Sequence, residues 1–189
     1  VPLDPYFFGA WLGDGSSAAP AVTSADPEVV AHVREVAAQY GLQVREEAAG
    51  GQSVTYYLTT EDRTGRTNNP IRSALQALNV WGDKHIPQLY KVNDRATRLA
   101  VLAGILDTDG SMAGDRKNSY HVTFKSEKLA DDVVFLARSL GFAAYVKPVT
   151  GRCTYKGEVK EGTYFQISIW GNTQEIPTKL PRKQAAAHT

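Results

Sequence analysis

The sequence lacks several features that define well-known classes of protein. Its one cysteine, Cys153, cannot form an intramolecular disulfide framework. No apolar run approaches the roughly 20 residues of a membrane helix, and no signal-peptide pattern is visible, so we expect an intracellular protein without membrane association. The four histidines are scattered without the spacing of zinc ligands. These absences argue against a disulfide-stapled secreted protein, a membrane protein and a zinc protein.

The chain has almost no excess of either charge, but its charges are unevenly distributed. The net charge of the 189 residues is +1. The first 50 residues carry seven acidic and two basic side chains, whereas the last 50 carry seven basic and three acidic. Local basic patches can therefore meet a polyanion although the whole chain is nearly neutral. With 42% hydrophobic residues, this length suits one internally duplicated domain with a continuous core.

Two segments of the chain follow one pattern. Residues 102–110 read LAGILDTDG, and residues 7–15 read FFGAWLGDG. Each is an apolar run with glycine at its third position, and each ends in Asp-Gly. Such runs are typical of buried helices, and their small residues would let two helices approach closely: Gly9, Ala10, Ala103 and Gly104. The bulkier Trp11 is expected to point into the core of the first half.

An ordinary pair of buried helices would not explain the acidic residues at the ends of the two motifs. Asp14 and Asp109 fall at helix C-termini, where the macrodipole disfavours a carboxylate by a few tenths to about 1 kcal/mol. Two carboxylates brought together also repel each other. A cation between them removes both penalties, and hard oxygen ligands favour Mg²⁺: the two carboxylates and the carbonyls at the helix ends, such as those of Gly13 and Thr108. Such a site can activate water and stabilise a phosphate under attack.

The similarity of the two halves extends beyond the motifs. Apolar spacing predicts helices over residues 27–40 and 127–140, followed by Gly41 and Gly141. The motif aspartates are 95 positions apart and these glycines 100, as a duplicated unit would give. Alternation and turn residues predict strands over residues 43–47, 53–60, 119–125, 143–149 and 163–170.

The segment between the halves carries its own signals. A short helix is predicted from Pro70 to Leu78, after Asn69. A turn-like segment, GDKHIP, follows at residues 82–87, and Asp94 is the predicted N-cap of the second motif helix.

The predicted strands have one apolar and one polar face. In residues 163–170, Phe165, Ile167 and Ile169 share the first face. For a single strand of this kind, the simpler interpretation is that the polar face is exposed to solvent. Several such strands in a duplicated unit favour a contact surface that follows a DNA groove. The expected base contacts are Tyr57, Gln166, Ser168 and Trp170, and the expected phosphate contacts are Lys147, Arg152, Lys156 and Lys160. Lys125 lies on the polar face of the predicted strand at residues 119–125 and is a further candidate for contact with DNA.

In these features the chain resembles a LAGLIDADG homing endonuclease of the monomeric, two-motif kind, and closely resembles the endonuclease domain of inteins. The resemblance covers both motifs, the helices and strand pairs after them, the KHIP segment at residues 84–87 and a basic tail, LPRK, at residues 180–183. It implies a mixed α/β (α+β) fold with two pseudo-symmetric αββαββα-like halves, residues 1–93 and 94–189. A central pair of motif helices and two antiparallel sheets would form a DNA-binding saddle.

The resemblance also implies an activity and a set of site residues. The activity is metal-dependent hydrolysis of both strands of a long, asymmetric site in double-stranded DNA, with 3′ overhangs. Two or three Mg²⁺ ions are expected, for which Mn²⁺ or Ca²⁺ can substitute in binding. Asp14 and Asp109 match the metal-binding acids, and Lys84 matches a lysine that polarises water or stabilises the phosphorane. Lys183 is the expected partner of Lys84, with two rivals, Lys179 and Arg182.

Two departures from the family pattern and two rival functions leave alternatives open. The position of Asp107 is occupied by Leu12 in the first motif, so a capping or supporting role suits Asp107 better than catalysis. Val1 and the tail AAAHT lack the groups that splice an intein, so the chain is either a domain of a larger intein or free-standing. A DNA-binding module without cleavage and an RNA-splicing maturase of the same fold are the rival functions, against which the two retained aspartates and the intein-like residues 1–5 argue.

Overall fold

The computed structural model describes residues 1–62, 68–114, 117–155 and 158–186, which form a mixed α/β fold. Its helices are α1 Pro5–Asp14, α2 Pro27–Gln39, α3 Pro70–Ala77, α4 Gln88–Lys91, α5 Arg95–Asp109 and α6 Glu127–Ser139. Its strands are β1 Ala21–Ser24, β2 Gln43–Gly50, β3 Ser53–Thr59, β4 Gly110–Ala113, β5 Ser119–Phe124, β6 Ala143–Tyr155 and β7 Glu158–Trp170. Short 3₁₀ turns cover Thr173–Glu175 and Pro181–Lys183. Within these ranges, no helix is both long and apolar enough to cross a membrane.

Both motifs form helices that end at their aspartates. Asp4 caps α1 by accepting a hydrogen bond from the Phe7 N–H at 2.8 Å. The predicted N-cap of α5 is confirmed, since Asp94 accepts from the Thr97 N–H at 2.7 Å. The helices therefore begin at strong caps and place the two acids at their C-terminal ends.

The two motif helices touch backbone to backbone at the centre of the molecule. A Cβ added at Gly9 would lie 2.1 Å from the Val101 carbonyl oxygen, and one added at Gly104 would lie 2.1 Å from the Tyr6 carbonyl oxygen. Only glycine fits these two positions without moving a helix. The prediction that small residues allow a close approach is confirmed.

Each half carries an antiparallel sheet, with strand order β1-β3-β2 in the first and β4-β5-β7-β6 in the second. The mixed α/β fold with antiparallel sheets is thus confirmed, but β1 and β4 were not predicted. Gly110 pairs with Val122 at the start of β4, and Gly15 forms an isolated bridge with Val22. The loop between the paired residues is five residues longer in the second half, which accounts for the change of offset from 95 to 100 positions.

The helices α2 and α6 pack against the inner faces of the sheets. Of the apolar residues that predicted these helices, Val30 of α2 is only half-buried and the others are buried: Val29, Val33, Val36 and Ala37 in α2, and Leu129, Val133, Leu136 and Ala137 in α6. Gly41 and Gly141 follow with φ of +64° and +91°, a conformation that glycine adopts without strain. Trp11 is fully buried, as expected, and its Nε1 donates to the Ala19 carbonyl at 3.0 Å.

The hairpin of the second half is longer than predicted. β6 and β7 pair over 13 residues each, from Ala143 with Trp170 to Tyr155 with Glu158, whereas the predicted strands ended at residue 149 and began at residue 163. β2 is likewise longer than predicted and ends at Gly50.

Candidate active site

The two motif carboxylates lie at the adjoining ends of α1 and α5. Both residues are exposed, and a Cβ added at Gly13 would lie 3.3 Å from the Cβ of Asp109. Partial desolvation and the charge of Asp14 raise the pKa of Asp109 to about 6, against the opposing pull of Lys84 and Lys183. Desolvation also raises the pKa of Asp14, which the same two lysines lower. The site thus holds two acids whose negative charge is incompletely compensated.

Removal of one carboxylate should stabilise the protein in EDTA. Because the pKa of Asp109 is raised in the folded state, its ionised form costs stability above pH 6, and that cost fades as the pH falls through 6. We therefore expect Asp109→Asn to raise the Tm by a few degrees at pH 7.5 and by less at pH 5, measured by calorimetry. A lower Tm at pH 7.5 would contradict this electrostatic account.

Lys84 lies against the end of the first motif helix. Its Nζ donates to the carbonyls of Leu12 at 3.1 Å and Gly15 at 2.7 Å, and lies 5.1 Å from the Trp11 ring centroid. Burial lowers the pKa of Lys84 to about 8, whereas the motif carboxylates Asp14 and Asp109 raise it. A cation is thus fixed beside the acids by carbonyls that the helix leaves free.

Lys183 occupies the matching place on the second motif helix. Its side chain is buried, and its Nζ donates to the carbonyls of Leu106 at 2.9 Å and Asp107 at 2.6 Å. Burial lowers its pKa. Asp107 stands 95 positions after Leu12, the offset of the motif aspartates, so the two lysines share one equivalent carbonyl, that of Leu12 in the first half and of Asp107 in the second. Their second carbonyl partners, Gly15 and Leu106, are not equivalent.

The two rivals of Lys183 are engaged elsewhere. Lys179 has its Nζ 4.8 Å from the Tyr6 ring centroid. Arg182 forms a bidentate ion pair with Asp26. The placement of Lys183 therefore agrees with the preferred assignment, while its role in catalysis stays a prediction.

Asp107 is buried and holds the C-terminal segment. Its carboxylate accepts hydrogen bonds from the Tyr6 hydroxyl at 2.8 Å and from the backbone N–H of Lys179 at 2.6 Å and of Leu180 at 3.4 Å. Burial raises its pKa despite these bonds. Such contacts agree with the supporting role expected from the sequence.

The donor set around the two carboxylates fits a hard cation. Gly13 and Thr108 lie in the last turns, where backbone carbonyls lack helical partners, and the Thr108 hydroxyl donates within its own helix to Gly104 at 2.9 Å. Within the described ranges, no three or more His, Cys, Asp or Glu side chains converge. One or two carboxylates, water and phosphate oxygens are the ligands that Mg²⁺ usually takes.

Most of the residues of the second half that were predicted to contact DNA lie on the outer face of the second sheet. Gln166 and Ser168 point to one face with Trp170, and Lys147 pairs with Gln166 across β6 and β7. The pairing of β5 and β6 with β7 places three further side chains on this face, namely His121, Thr123 and Tyr145. The alternation of residues 119–125 already put His121 and Thr123 on the polar face, whereas Tyr145 was not predicted there. Tyr145 is 58% exposed and stacks on Trp170 with ring centroids 5.1 Å apart. The alternation of outward-facing and inward-facing residues along β5 and β6 is the sequence signal that could have identified the residues of this face.

The remaining predicted DNA contacts are more dispersed. Tyr57 lies on the outer face of the first sheet with the Arg45 guanidinium 4.5 Å from its ring centroid. Lys125 is exposed after β5. Lys156 lies outside the described residues, and only the backbone is described for Arg152 and Lys160.

A protein-family model for homing endonucleases matches residues 85–179, half of the chain. The chain belongs to the homing endonuclease family. Its two motifs place it with the LAGLIDADG-type members, which confirms the resemblance drawn from the sequence.

Three curated relatives of this chain are larger proteins. It is 33% identical over 152 residues to the replicative DNA helicase DnaB of Mycobacterium intracellulare, covering 79% of the chain and 21% of the relative. It is 29% identical to the homothallic switching endonuclease of Saccharomyces cerevisiae, covering 94% and 37%. It is 24% identical to a SufBD family iron-sulfur cluster assembly protein of Mycobacterium leprae, covering 95% and 21%. The chain thus spans only about a fifth to a third of these relatives.

Solved structures of the homing endonuclease I-DmoI share the fold. A mesophilic variant superposes with a TM-score of 0.56 at 11% identity, and another variant, in complex with its target DNA and Mg, superposes with a TM-score of 0.57 at 9% identity. Each superposition covers 88% of this chain and 87% of the other chain. A further I-DmoI structure contains DNA and Mn.

Proposed function

We propose that this chain is a site-specific endonuclease that cuts both strands of double-stranded DNA with divalent metal. The observation that carries the proposal is the pair Asp14 and Asp109 at the adjoining helix ends, each flanked by a lysine bound to the same helix end. Membership of the homing endonuclease family supports it. So do the I-DmoI complexes with target DNA and Mg or Mn.

The chain's own groups would position the reactants. Asp14 and Asp109 would hold the metal, with the Gly13 and Thr108 carbonyls as further ligands. When bound, Mg²⁺ lowers the pKa of attacking water and neutralises charge on the phosphate and the leaving oxygen. With a pKa near 8, Lys84 stays mostly protonated at pH 7 and can donate to a phosphate oxygen or orient the water. Two or three ions would serve the two strands.

The outer faces of the sheets would bind the DNA as a saddle, with residues 1–93 and 94–189 each reading part of an asymmetric site. Each acid directly precedes a residue paired into its sheet, Gly15 with Val22 and Gly110 with Val122. A duplex held on these faces would therefore lie over the acids. A monomer suffices, because one chain supplies both halves.

We further propose that the chain belongs to an intein. Its match to one fifth of a protein named as a replicative helicase is what an endonuclease inserted into a host protein would give. The chain also covers one fifth of the SufBD family relative, which an endonuclease inserted into that protein would explain in the same way.

A plasmid cleavage assay tests the proposed function. The substrate carries the host gene with the coding sequence of this element removed and the flanking sequences joined, and the control carries the interrupted gene. With Mg²⁺, we expect linear product with 3′ overhangs from the substrate and none from the control. Binding of the substrate without cleavage would instead indicate a DNA-binding module, and binding of the transcript alone would indicate a maturase.

Metal affinity should depend on pH in the range where Asp109 titrates. Protons compete with metal for this carboxylate below its pKa of about 6 and not above it. We expect Mn²⁺ affinity, measured by titration calorimetry, to be constant from pH 7 to 8 and to fall about tenfold per pH unit below 6. Constant affinity down to pH 5 would contradict metal binding by Asp109.

A further inference from the structure

Each of the two lysines lies on a segment that is anchored to the opposite half of the molecule. Lys84 belongs to residues 83–91, the connector strap, which ends the first half but contacts α6 of the second. Lys183 belongs to residues 178–183, the C-terminal strap, which ends the second half but contacts the first half at α1 and at the N-cap of α2. The straps therefore cross between halves.

The connector strap is held by one face of α6. Lys128 donates to Asp83 at 2.7 Å, and Asp132, one turn later, accepts from the Ile86 N–H at 2.8 Å. The second oxygen of Asp132 accepts from Lys91 at 2.5 Å. Positions 128 and 132 are neighbours on a helix surface, so the strap follows the helix.

Asp132 is a buried carboxylate in this contact. It is 9% exposed, and both of its carboxylate oxygens are used by the strap. Its bond to Ile86 lies two residues after Lys84, whose Nζ reaches the carbonyls of α1. Removal of the carboxylate would leave the Ile86 N–H and the Lys91 ammonium without their partner and would free the strap at this point.

The C-terminal strap has a comparable anchor. Arg182, next to Lys183, pairs with Asp26 at the N-cap of α2, while Tyr6 of α1 and Asp107 hold the start of the strap. Asp26 and Lys128 both lie at the N-terminal ends of equivalent helices, α2 and α6. Both lysines are thus placed by ion pairs to the opposite half.

We propose that Asp132 is a positioning residue that fixes Lys84 through the connector strap, so that its loss impairs cleavage of one DNA strand and spares the other. The statement about strands rests on the proposed function. The placement of Lys84 by Asp132 does not, and it can be measured without cleavage.

The first measurement is chemical labelling of lysine amines, quantified for each residue by mass spectrometry on the intact chain. Asp132→Ala should increase labelling of Lys84 about tenfold, because its Nζ loses its fixed place against α1, and should leave Lys183 unchanged. Asp132→Asn keeps an oxygen acceptor for the Ile86 N–H and should restore most of the protection. Asp131→Ala, at an exposed position in the same helix, is the matched control and should change neither lysine.

The second measurement is the rate of cutting of each end-labelled strand. Asp132→Ala should slow one strand about 10- to 100-fold, since a displacement of about 1 Å can have that effect, and should change the other less than about twofold. The affinity for DNA should not change. Asp83→Asn loosens the same strap from an exposed position and should give a smaller effect on the same strand, which keeps the test valid where Asp132→Ala folds poorly.

The outcomes separate the two claims. Unchanged labelling of Lys84 in Asp132→Ala, or equal loss on both strands in parallel with Tm, would overturn the proposal and leave Asp132 a structural residue. Increased labelling of Lys84 alone supports the proposal even where the wild-type protein fails to cut DNA, a result that would count against the proposed function only.

Discussion

Asp109→Asn should slow cleavage of both DNA strands by at least about 10³-fold while leaving the affinity for DNA within about twofold. The change keeps the size of the side chain but removes one of the two carboxylates at the adjoining helix ends. Its partner Asp14 remains as a single charged ligand, which is too little to hold metal at both scissile phosphates. Because the outer faces of the sheets are untouched, DNA binding should persist.

Cleavage is measured on both labelled strands in Mg²⁺, and affinity is measured in Ca²⁺ by gel shift. Asp131→Asn, an exposed carboxylate on α6, is the matched control and should cut at the wild-type rate. Cleavage by Asp109→Asn within tenfold of the wild-type rate would show that the reaction does not depend on this carboxylate.

Gly104→Ala should destabilise the protein by about 3 kcal/mol or more, the upper part of the range for overpacking a core. Its new methyl group would lie 2.1 Å from the Tyr6 carbonyl oxygen and 2.7 Å from the Ala10 backbone nitrogen. Both are backbone atoms inside α1, so the helices must separate. Separation would also move Asp14 away from Asp109, so cleavage should fall together with stability.

Urea unfolding measures the change in stability. Ala38→Ser adds one heavy atom at an exposed position of α2 and should change the free energy of unfolding by less than about 0.5 kcal/mol. A loss below about 1 kcal/mol for Gly104→Ala would mean that the helix pair adjusts, and that close backbone contact is not what brings the acids together.

Local sequence signals predicted the elements that are long and periodic. The buried stripes of α2 and α6 and the N-cap of α5 could be predicted because they depend on residues within one or two turns. The strands β1 and β4 have only four residues each, too few for alternation to stand out. The predicted strand of residues 143–149 ended too early because Gly151 indicates a break, whereas in the structure Gly151 pairs with Gly162 and β6 continues to Tyr155.

Residues of the candidate site could be predicted where they lie in a recognisable motif, and the others could not. Asp14, Asp109 and Lys84 lie in recognisable segments, whereas Lys183 had to be chosen among three basic residues. The role of Asp132 could not be predicted from the sequence, because the backbone N–H that it binds is 46 positions away. From the sequence alone, an acidic residue on a helix is expected to be exposed to solvent. Contacts between distant segments follow from the packing of the two halves and have no local pattern.

A crystal structure of the protein with DNA and Mn²⁺ would show whether Asp14 and Asp109 bind metal, because the anomalous signal locates the ion. We expect an anomalous peak within about 2 to 2.5 Å of a carboxylate oxygen of Asp14 or Asp109, next to a backbone phosphate of the DNA. DNA bound on the sheets with no anomalous peak at either aspartate would contradict the claim that these two residues form the metal site of a DNA endonuclease.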